Sequence, residues 1–515
     1  MRMPALMLLL GAATLCTAAP SDVPITLTID TPAAGPIIDR HLFGQFAEHL
    51  GRGVYDGIWV GPDSPIANTR GIRNDVVAAL RALHVPAVRW PGGCFAEEYH
   101  WRKGVGDPSA RPVTLNPNWG SVPESNQFGT HEFMDFAAQI GADAYVSVNV
   151  GSGTLEEASD WLEYMTAGDS TLAKERARNG HELPFAVPFL GIGNESWGCG
   201  GAMTPGDYVS LLKRYARYTR NFNRPQTMQR IAVGPDGTDT GYTEAVMNAW
   251  QHKVWSWDIE GLSLHSYTVG KWPPSYRATG FDESAYATFL REALRMEDIV
   301  RIQSGVMDKY DPGKKVALVV DEWGSWLAPT PGTNPDFLEQ QNSQRDALVA
   351  ALNLDIFARH ADRVRMANVA QMVNVLQAMV LTDHDRVLLT PTYHVFRMYV
   401  PFQDATLLPV TFEAGRYDEG DVHLPRLDAL AARGRDGKVW LALVNLDARR
   451  VTPVRLEARG VRGAVGETLH GPRVDAINTF DKPREVHPAP ITALRADGGL
   501  RIDLPPHSVS VLALQ

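Results

Sequence analysis

Cysteine is scarce in this sequence, which has only three cysteines among its 515 residues. Three thiols are too few for a disulfide-stabilised scaffold or for a zinc site with four thiolate ligands. Cys16 falls inside a predicted signal peptide, which leaves Cys94 and Cys199. Two buried free thiols are the expected state. A single Cys94–Cys199 bridge stays open as an alternative, because exported proteins meet an oxidising environment.

Clusters of basic residues and long apolar runs are also missing. Lys and Arg number 49 against 59 Asp and Glu, a formal net charge of −10. Nucleic-acid-binding proteins usually carry a basic face, so that class is excluded. The apolar stretch Leu6–Leu15 is shorter than the roughly 20 residues that span a bilayer. Preceded by Arg2 and followed by small residues, it predicts a signal peptide over residues 1–19, no later membrane association, and a protein exported to the periplasm or the medium.

What the sequence does contain is a regular alternation of short apolar runs with helix-periodic segments. Thr204 followed by Pro205, for example, is a typical helix start. Eight strand–helix units predict a (β/α)₈ barrel over residues 37–400. No G-x-G-x-x-G motif follows the first strand, which disfavours a dinucleotide-binding fold. The eight runs begin at Leu42, Pro86, Ala144, Pro188, Arg230, Ile259, Lys315 and Arg363.

The pattern changes after about Pro401, where short β-like runs are broken by Gly, Pro and Asp. This pattern predicts a C-terminal antiparallel β-sandwich, jelly-roll-like, over residues 401–515. The strand-like segment 22–36 is expected to join this sandwich. One stretch in the C-terminal region, LDALAARG from Leu427, has helical composition and is interpreted as a short helix.

Two carboxylates are expected at one end of the barrel. The working residues of such barrels lie at the C-terminal ends of the strands. The fourth run ends in Asn194-Glu195 and the seventh in Asp321-Glu322. Retaining glycoside hydrolysis needs such a pair, one carboxyl to protonate the leaving oxygen and one to attack the sugar. A metal hydrolase would need a His-x-His pair or a similar cluster, which the first run does not supply. The sequence therefore predicts no metal and no cofactor.

Several motifs occur in a fixed order and together carry a family resemblance. They are RWPGGCFAEEYHWRKGVG, GIGNESWGCGG, LSLHSY, VVDEWGSW and NVAQMVNV. The sequence resembles glycoside hydrolase family 51, whose members are mostly α-L-arabinofuranosidases, from about Pro24 to Gln515. The resemblance implies a retaining, exo-acting enzyme that releases terminal L-arabinofuranose from arabinoxylan, arabinan or their oligosaccharides. Family members are often oligomeric, so a homo-oligomer stays open.

The resemblance also assigns roles to residues. It implies that Glu195 is the general acid/base and Glu322 the nucleophile. Many family members carry Asn where this sequence has Cys94, although the Cys variant also occurs. A thiol is a poor hydrogen-bonding group, so one sugar contact is expected to be weak or supplied elsewhere. Expected substrate contacts are Glu48, Cys94, Trp101, Asn194, Tyr267 and Gln371, and expected supporting residues are Arg89, Asn149, His265 and Trp326.

Three alternatives stay open. A β-xylosidase or an endo-β-1,4-glucanase could use the same scaffold, and a blind pocket would favour an exo-acting enzyme whereas an open cleft would favour an endo-acting one. The tract from Trp101 to Phe128 is expected to decide between these shapes. A non-catalytic carbohydrate-binding protein is expected to lack one of the two carboxylates, and this sequence has both.

Overall fold

The computed structural model describes residues 23–223, 226–496 and 499–515. The predicted signal peptide, residues 1–19, lies outside the described residues. Within them, eight parallel strands form a closed barrel, which confirms the predicted (β/α)₈ fold. Barrel strands 1 to 8 are, in chain order, Gly44–Phe46, Ala87–Trp90, Asp143–Val148, Phe189–Ile192, Gln229–Ala232, Gly261–Thr268, Ala317–Ser325 and Val364–Ala370.

The barrel closes because strand 8 pairs in parallel with strand 1. Inside the barrel, apolar side chains that include Tyr145, Val319 and Met366 form a buried cluster. The Tyr145 hydroxyl reaches up from this cluster to the carboxylate of Asp321. An apolar layer therefore supports the polar side chains at the C-terminal ends of the strands, where enzymes of this fold carry out their chemistry.

Helices surround the barrel, and several of them begin at a side-chain cap. At the start of the helix Pro205–Tyr218, Thr204 Oγ1 accepts the N–H of Asp207, and the Asp207 carboxylate accepts the N–H of Thr204. This capping box satisfies N–H groups that have no partner within the helix. The helices are α1 Asn74–Ala82, α2 Thr130–Ile140, α3 Leu155–Thr166, α4 Thr171–Arg178, α5 Pro205–Tyr218, α6 Gly241–Gln251, α7 Glu283–Tyr310, α8 Gln344–Arg359 and α9 Pro391–Tyr399.

Two sheets form the sandwich, and the N-terminal strand Ile25–Ile29 lies in the first of them. That strand pairs in parallel with Thr452–Ala458, whereas the other pairs of the sandwich are antiparallel. The first sheet is completed by Val410–Phe412, Gly499–Leu504 and Leu494–Ala496. The second sheet consists of Thr406–Leu408, Leu427–Arg433, Val439–Asn445, Ser508–Leu514, Ala464–Leu469 and Pro488–Thr492.

The segment LDALAARG is a strand and not the predicted helix. Leu427–Arg433 pairs with Val439–Asn445 along its whole length. Ala431 and Ala432 are buried completely. Local preference for helix is weak, of the order of tenths of a kcal/mol per residue, and tertiary packing overrides it here.

Four short hairpins and six 3₁₀ turns complete the described chain. The hairpins are Asn68–Thr69 with Ile72–Arg73, Thr114–Asn116 with Val122–Glu124, Val380–Asp383 with Arg386–Leu389, and Arg416–Glu419 with Val422–Pro425. The 3₁₀ turns are Arg40–Phe43, Cys94–Glu98, Trp101–Gly104, Pro108–Ala110, Pro335–Phe337 and Val400–Phe402. None of the helices among these described residues is both long and apolar enough to cross a bilayer.

Candidate active site

A cavity of about 470 Å³ opens at the C-terminal ends of the barrel strands. This volume is within the usual range for pockets that bind a small ligand. The cavity collects residues from distant parts of the chain. Of the residues singled out in the sequence, those that line it are Glu48, Cys94, Glu195, His265, Tyr267, Glu322, Trp326 and Gln371.

Glu322 lies on barrel strand 7, and both of its carboxylate oxygens accept hydrogen bonds. The Arg89 guanidinium donates to Oε1 at 2.7 Å, and the Tyr267 hydroxyl donates to Oε2 at 2.8 Å. Burial and the charge of Glu322 raise the pKa of Tyr267 well above its usual value, so this hydroxyl stays a donor. The two donors fix the orientation of the carboxylate.

Glu195 follows barrel strand 4 and has a different environment. Its backbone φ is +39°, in the left-handed region that non-glycine residues rarely adopt. Its Oε1 lies 2.8 Å from Nδ1 of His265. Burial raises the pKa of Glu195; the His265 hydrogen bond opposes this change, and the charge of Glu322 adds to it, so that the pKa is above that of an ordinary glutamate. Glu195 is therefore the carboxyl of the pair that is suited to carry a proton.

His265 lies on barrel strand 6 between the acidic groups of the site. Burial disfavours its charged form, but the charge of Glu322 and the hydrogen bonds to Asp321 and Glu195 outweigh burial and raise its pKa well above the usual value. Its Nε2 lies 3.3 Å from Oδ1 of Asp321. A doubly protonated ring can donate to Glu195 from one nitrogen and face Asp321 with the other.

Arg89 and Asn194 lie directly beneath the cavity. The second terminal nitrogen of Arg89 donates to Oδ1 of Asn194 at 2.6 Å, so that one guanidinium orients both Asn194 and Glu322. Gly93 makes room for this arrangement. A Cβ at that position would lie 2.8 Å from Oε1 of Glu322 and 3.6 Å from Nδ2 of Asn194. The contact with Asn194 would be an ordinary one, but only glycine lets the chain pass so close to Glu322.

Glu48 follows barrel strand 1 and lines the cavity. Its Oε1 accepts the N–H groups of Gly93 and Phe95 and the indole N–H of Trp119, each at 3.0 Å. Its Oε2 accepts only the side-chain amide of Gln371, also at 3.0 Å. Burial, followed by the charge of Glu322, raises the pKa of Glu48 to about 7.

Gln371 leaves an acceptor available beside Glu48. Its Oε1 is buried and has no hydrogen-bond partner among the described residues. A buried carbonyl oxygen without a partner is costly, and a sugar hydroxyl would satisfy it. Oε2 of Glu48, with a single donor, offers a second acceptor beside it.

Trp101 does not reach the cavity, which corrects its expected role as a substrate contact. Trp101 is 1% exposed, donates its indole N–H to the carbonyl of Glu157 and stacks beside Trp161. From the 3₁₀ turn Trp101–Gly104 it therefore packs against α3. Asn149 is tied to Ser152 by hydrogen bonds in both directions and shapes the loop after strand 3.

Cys94 and Cys199 form a disulfide bond, which corrects the expectation of two free thiols. The turn after strand 2 and the loop after strand 4 lie next to each other, and their Cα atoms are 5.5 Å apart at this point. Cys94 lines the cavity, but a disulfide sulfur has no hydrogen to donate, so the thiol contact expected there is not available. The Cys199 sulfur lies 3.7 Å from Oε2 of Glu195.

Several residues of the site carried no assigned role in the sequence. Asp321 accepts the Tyr145 hydroxyl at 2.7 Å, and its position before Glu322 at a strand end was the available signal. Trp119 lies on the connection of the hairpin Thr114–Asn116 with Val122–Glu124, within the tract expected to shape the cavity. Trp272 lines the cavity from the loop after strand 6, where no motif indicated it.

The site also contains a group of potential metal ligands. Glu195, His265 and Glu322 place ligand atoms within 4.8 Å of one another. A metal ligand must give up its proton, and the raised pKa of His265 opposes this change. Both carboxylates already have strong hydrogen-bond donors. The arrangement fits proton transfer and nucleophilic attack better than it fits metal binding.

Comparison with known proteins agrees with this geometry. Residues 79–267 match the family described as the α-L-arabinofuranosidase 1 domain. Residues 321–508 match the α-L-arabinofuranosidase C-terminal domain. A protein from Bacteroides ovatus named intracellular exo-α-L-arabinofuranosidase is 43% identical over 496 residues, and the alignment covers 95% of each chain.

The solved structure of the GH51 arabinofuranosidase from Xanthomonas axonopodis pv. citri is 50% identical, with a TM-score of 0.93 over 96% of this chain and 100% of that chain. The chain belongs to glycoside hydrolase family 51. It is a glycoside hydrolase of the arabinofuranosidase type. Another solved structure, the Thermotoga maritima α-L-arabinofuranosidase as an arabinose complex, is 30% identical, with a TM-score of 0.80 over 95% of this chain and 99% of that chain.

The comparisons correct one expectation about this family 51 enzyme. The sequence predicted an exported protein, and this prediction is wrong. The relative from Bacteroides ovatus, aligned over nearly the whole of both chains, is named intracellular. An apolar N-terminal stretch with small residues after it is a weak signal, because short alanine- and leucine-rich segments also occur without any role in export.

Proposed function

We propose that this family 51 enzyme is a retaining, exo-acting α-L-arabinofuranosidase that cleaves by double displacement. One observation carries the mechanism: a carboxylate oxygen of Glu195 and one of Glu322 lie within 4.8 Å of each other. Retaining glycosidases place their two carboxyl groups about 5–5.5 Å apart, whereas inverting enzymes need about 6.5–9.5 Å to admit a water molecule.

In the first step, Glu322 attacks the anomeric carbon of arabinofuranose. Arg89 and Tyr267 orient its carboxylate during the attack. Glu195, whose pKa burial and the nearby charge of Glu322 raise, donates its proton to the leaving oxygen. The products of this step are the released alcohol and an arabinosyl ester of Glu322.

In the second step, Glu195 acts as a base. Once Glu322 is an ester it is neutral, and the charge that helped to raise the pKa of Glu195 is gone. Glu195 can then take a proton from water, which attacks the anomeric carbon; the bond from that carbon to the Glu322 oxygen breaks, and arabinose leaves with its original anomeric configuration. The His265 hydrogen bond at 2.8 Å supports the ionised form of Glu195 in this step.

The proposed sugar contacts are those whose hydrogen-bonding capacity the protein leaves open. Oε2 of Glu48 and Oε1 of Gln371 can accept sugar hydroxyls. Nδ2 of Asn194 donates one hydrogen to the Cys199 sulfur at 3.6 Å, and its second hydrogen can be donated to the 2-hydroxyl, because Arg89 occupies its Oδ1. Trp326 lines the cavity beside Tyr267 and offers a stacking surface.

The exo-acting mode and the substrate class complete the proposal. Glu48, Trp119 and Gln371 line the cavity together and are joined by hydrogen bonds, an arrangement suited to hold a terminal sugar. The Bacteroides ovatus relative is named an exo-enzyme, and the Thermotoga maritima relative was solved with arabinose. We propose arabinoxylan, arabinan and their oligosaccharides as substrates.

The test is hydrolysis of p-nitrophenyl α-L-arabinofuranoside by the wild type and by Glu195→Gln and Glu322→Gln, with proton NMR of the first-formed anomer. We expect α-L-arabinofuranose first and losses of several orders of magnitude in both variants. First-formed β-anomer would contradict the retaining mechanism. Turnover only of xylosides or β-glucans would keep the mechanism and replace the substrate by that of a β-xylosidase or a glucanase.

A further inference from the structure

We propose that the turn Cys94–Glu98 positions the acid/base carboxyl by holding the loop that carries Glu195 at two points. One point is the buried carboxylate of Glu97, and the other is the disulfide from Cys94 to Cys199. This inference rests on the proposed role of Glu195 as the acid/base. It assigns a positioning function to Glu97, which is not one of the residues that line the cavity.

The loop that carries Glu195 needs such support. Glu195 has a φ of +39° and follows Gly193, which has a φ of +90°. A left-handed conformation is unfavourable for a residue with a Cβ and persists only where the surroundings impose it. The loop continues through Gly198, Gly200 and Gly201, and glycine lets the chain adopt many other conformations. Constraints from outside the loop must therefore select the observed one.

Glu97 supplies the first constraint. Its side chain is buried, and its Oε1 accepts the N–H of Asn194, the residue immediately before Glu195. Its Oε2 accepts the N–H groups of Val150 and Gly151 in the loop after strand 3, both at 2.7 Å. One carboxylate thus joins the loops after barrel strands 3 and 4.

The hydrogen bonds that the Glu97 carboxylate accepts come from these backbone N–H groups. Burial raises its pKa to about 7, and the three N–H donors of Asn194, Gly151 and Val150 oppose that change. A carboxylate in a buried position is costly unless donors surround it. A Cβ at Gly193 would lie 3.1 Å from Oε1 of Glu97, so that the chain approaches the carboxylate closely at this point.

The disulfide supplies the second constraint on the other side of Glu195. It fixes Cys199, whose loop also folds back so that the Glu195 carbonyl accepts the N–H groups of Gly198 and Gly200 at 2.7 and 3.0 Å. The Cys199 sulfur contacts the Glu195 carboxylate at 3.7 Å. Glu195 therefore lies between two attachment points. One is the hydrogen bond of Asn194 to Glu97, one residue before it, and the other is the disulfide at Cys199, four residues after it.

The turn Cys94–Glu98 and the glycine before it also contact Glu48 and Glu322. The N–H of Phe95 is bound to Glu48, and Gly93 passes directly over Glu322. The turn Cys94–Glu98 therefore relates the position of Glu195 to that of Glu322. This relation sets the separation of the two carboxylates that double displacement requires.

A displaced acid/base has a characteristic kinetic signature. Glycosylation with a poor leaving group needs proton donation, whereas a very good leaving group departs without it. The test therefore compares kcat/KM for phenyl and for 2,4-dinitrophenyl α-L-arabinofuranoside. In Glu97→Gln, an NH₂ group replaces one acceptor oxygen, so at least one backbone N–H faces a donor. We expect kcat/KM for the phenyl substrate to fall at least ten-fold and that for the dinitrophenyl substrate to change less than three-fold.

The matched control is Glu98→Gln, in the same turn but exposed to solvent, where an amide still accepts the hydrogen bond from Asn118. It is expected to act as the wild type on both substrates. Glu195→Ala is the reference for complete loss of proton donation. If Glu195→Ala shows no dependence on the leaving group, the proposed acid/base and this inference both fail. If Glu195→Ala shows it and Glu97→Gln does not, only this inference is overturned.

The disulfide gives a second measurement that needs no change at Glu97. Cys199 is exposed, so dithiothreitol can reach the bond. The dithiol transfers two electrons and two protons, which yields two cysteine thiols and the cyclic disulfide of the reagent. Reduction is expected to lower kcat/KM selectively for the phenyl substrate, and the double variant Cys94→Ser/Cys199→Ser is expected to show the same loss and no response to dithiothreitol. Equal losses on both substrates, or no loss, would contradict the positioning role of the disulfide.

Discussion

The two glutamates of the site are held in contrasting ways. Glu322 lies within barrel strand 7, at a shift in the register of its pairing with strands 6 and 8, and side chains alone, Arg89 and Tyr267, orient its carboxylate. Glu195 lies just beyond a strand, in a left-handed conformation, and backbone attachments through Glu97 and Cys199 surround it. The Glu322 side chain is 8% exposed and that of Glu195 is 20% exposed.

The difference corresponds to two chemical tasks. A nucleophile needs a carboxylate fixed by donors, and a buried barrel strand supplies a rigid base for it. An acid/base must exchange its proton with solvent and with the leaving group, so it is more exposed and must be positioned by its loop. Two identical side chains thus take different roles because their surroundings differ.

The strongest test of this comparison removes each carboxyl and supplies azide. Glu322→Ala is expected to lower the rate on the order of 10⁴-fold, since no nucleophile remains. Azide is expected to restore turnover in both Glu322→Ala and Glu195→Ala, with opposite products by NMR. Azide replaces the nucleophile in the first variant and gives the β-L-arabinosyl azide. In Glu195→Ala, azide attacks the anomeric carbon of the Glu322 ester and gives the α-azide. The same anomer from both would contradict the assignment of roles.

The next effect concerns the orientation of Glu322. Tyr267→Phe removes one of the two donors to its carboxylate and leaves the ring in place. A hydrogen bond to a charged group contributes about 1.5–3 kcal/mol, so kcat is expected to fall about 10- to 100-fold. The loss should be similar for good and poor leaving groups, because proton donation by Glu195 is intact. A loss confined to poor leaving groups would place Tyr267 with the acid/base instead.

A smaller effect is expected in the pH profile. Glu195 must be protonated for the first step, so kcat/KM falls as pH rises through its raised pKa. The hydrogen bond from His265 stabilises the ionised form and lowers that pKa. His265→Leu removes it, and the alkaline limb of kcat/KM is expected to move to higher pH. A shift to lower pH would show that His265 supports the protonated form.

The smallest effect on activity is expected at Trp101. Because this side chain packs against α3 and not in the cavity, Trp101→Phe is expected to lower Tm and to leave KM unchanged. Trp326→Ala, in the cavity wall, is expected to raise KM for arabino-oligosaccharides several-fold, since it removes a stacking surface. A raised KM in Trp101→Phe would contradict this placement and would support the substrate contact expected from the sequence.

Most of the fold could be predicted from local patterns. Eight apolar runs separated by helical segments correspond one by one to the eight barrel strands, because a buried parallel strand needs continuous apolar residues. The sandwich was also predictable from short runs and turn residues. The segment Leu427–Arg433 was not, since its alanines and leucines suit a helix and only its neighbours in the sheet make it a strand.

The sequence by itself determined the barrel and assigned Glu195 and Glu322 to the neighbourhood of strands 4 and 7, because the composition of a strand is a local property. Only the tertiary structure decided what surrounds them. The disulfide joins residues that are 105 positions apart, Glu97 binds backbone groups of two other loops, and Trp101 turns away from the cavity. Contacts between distant segments depend on how the loops pack around a closed barrel, and no pattern within one segment records that packing.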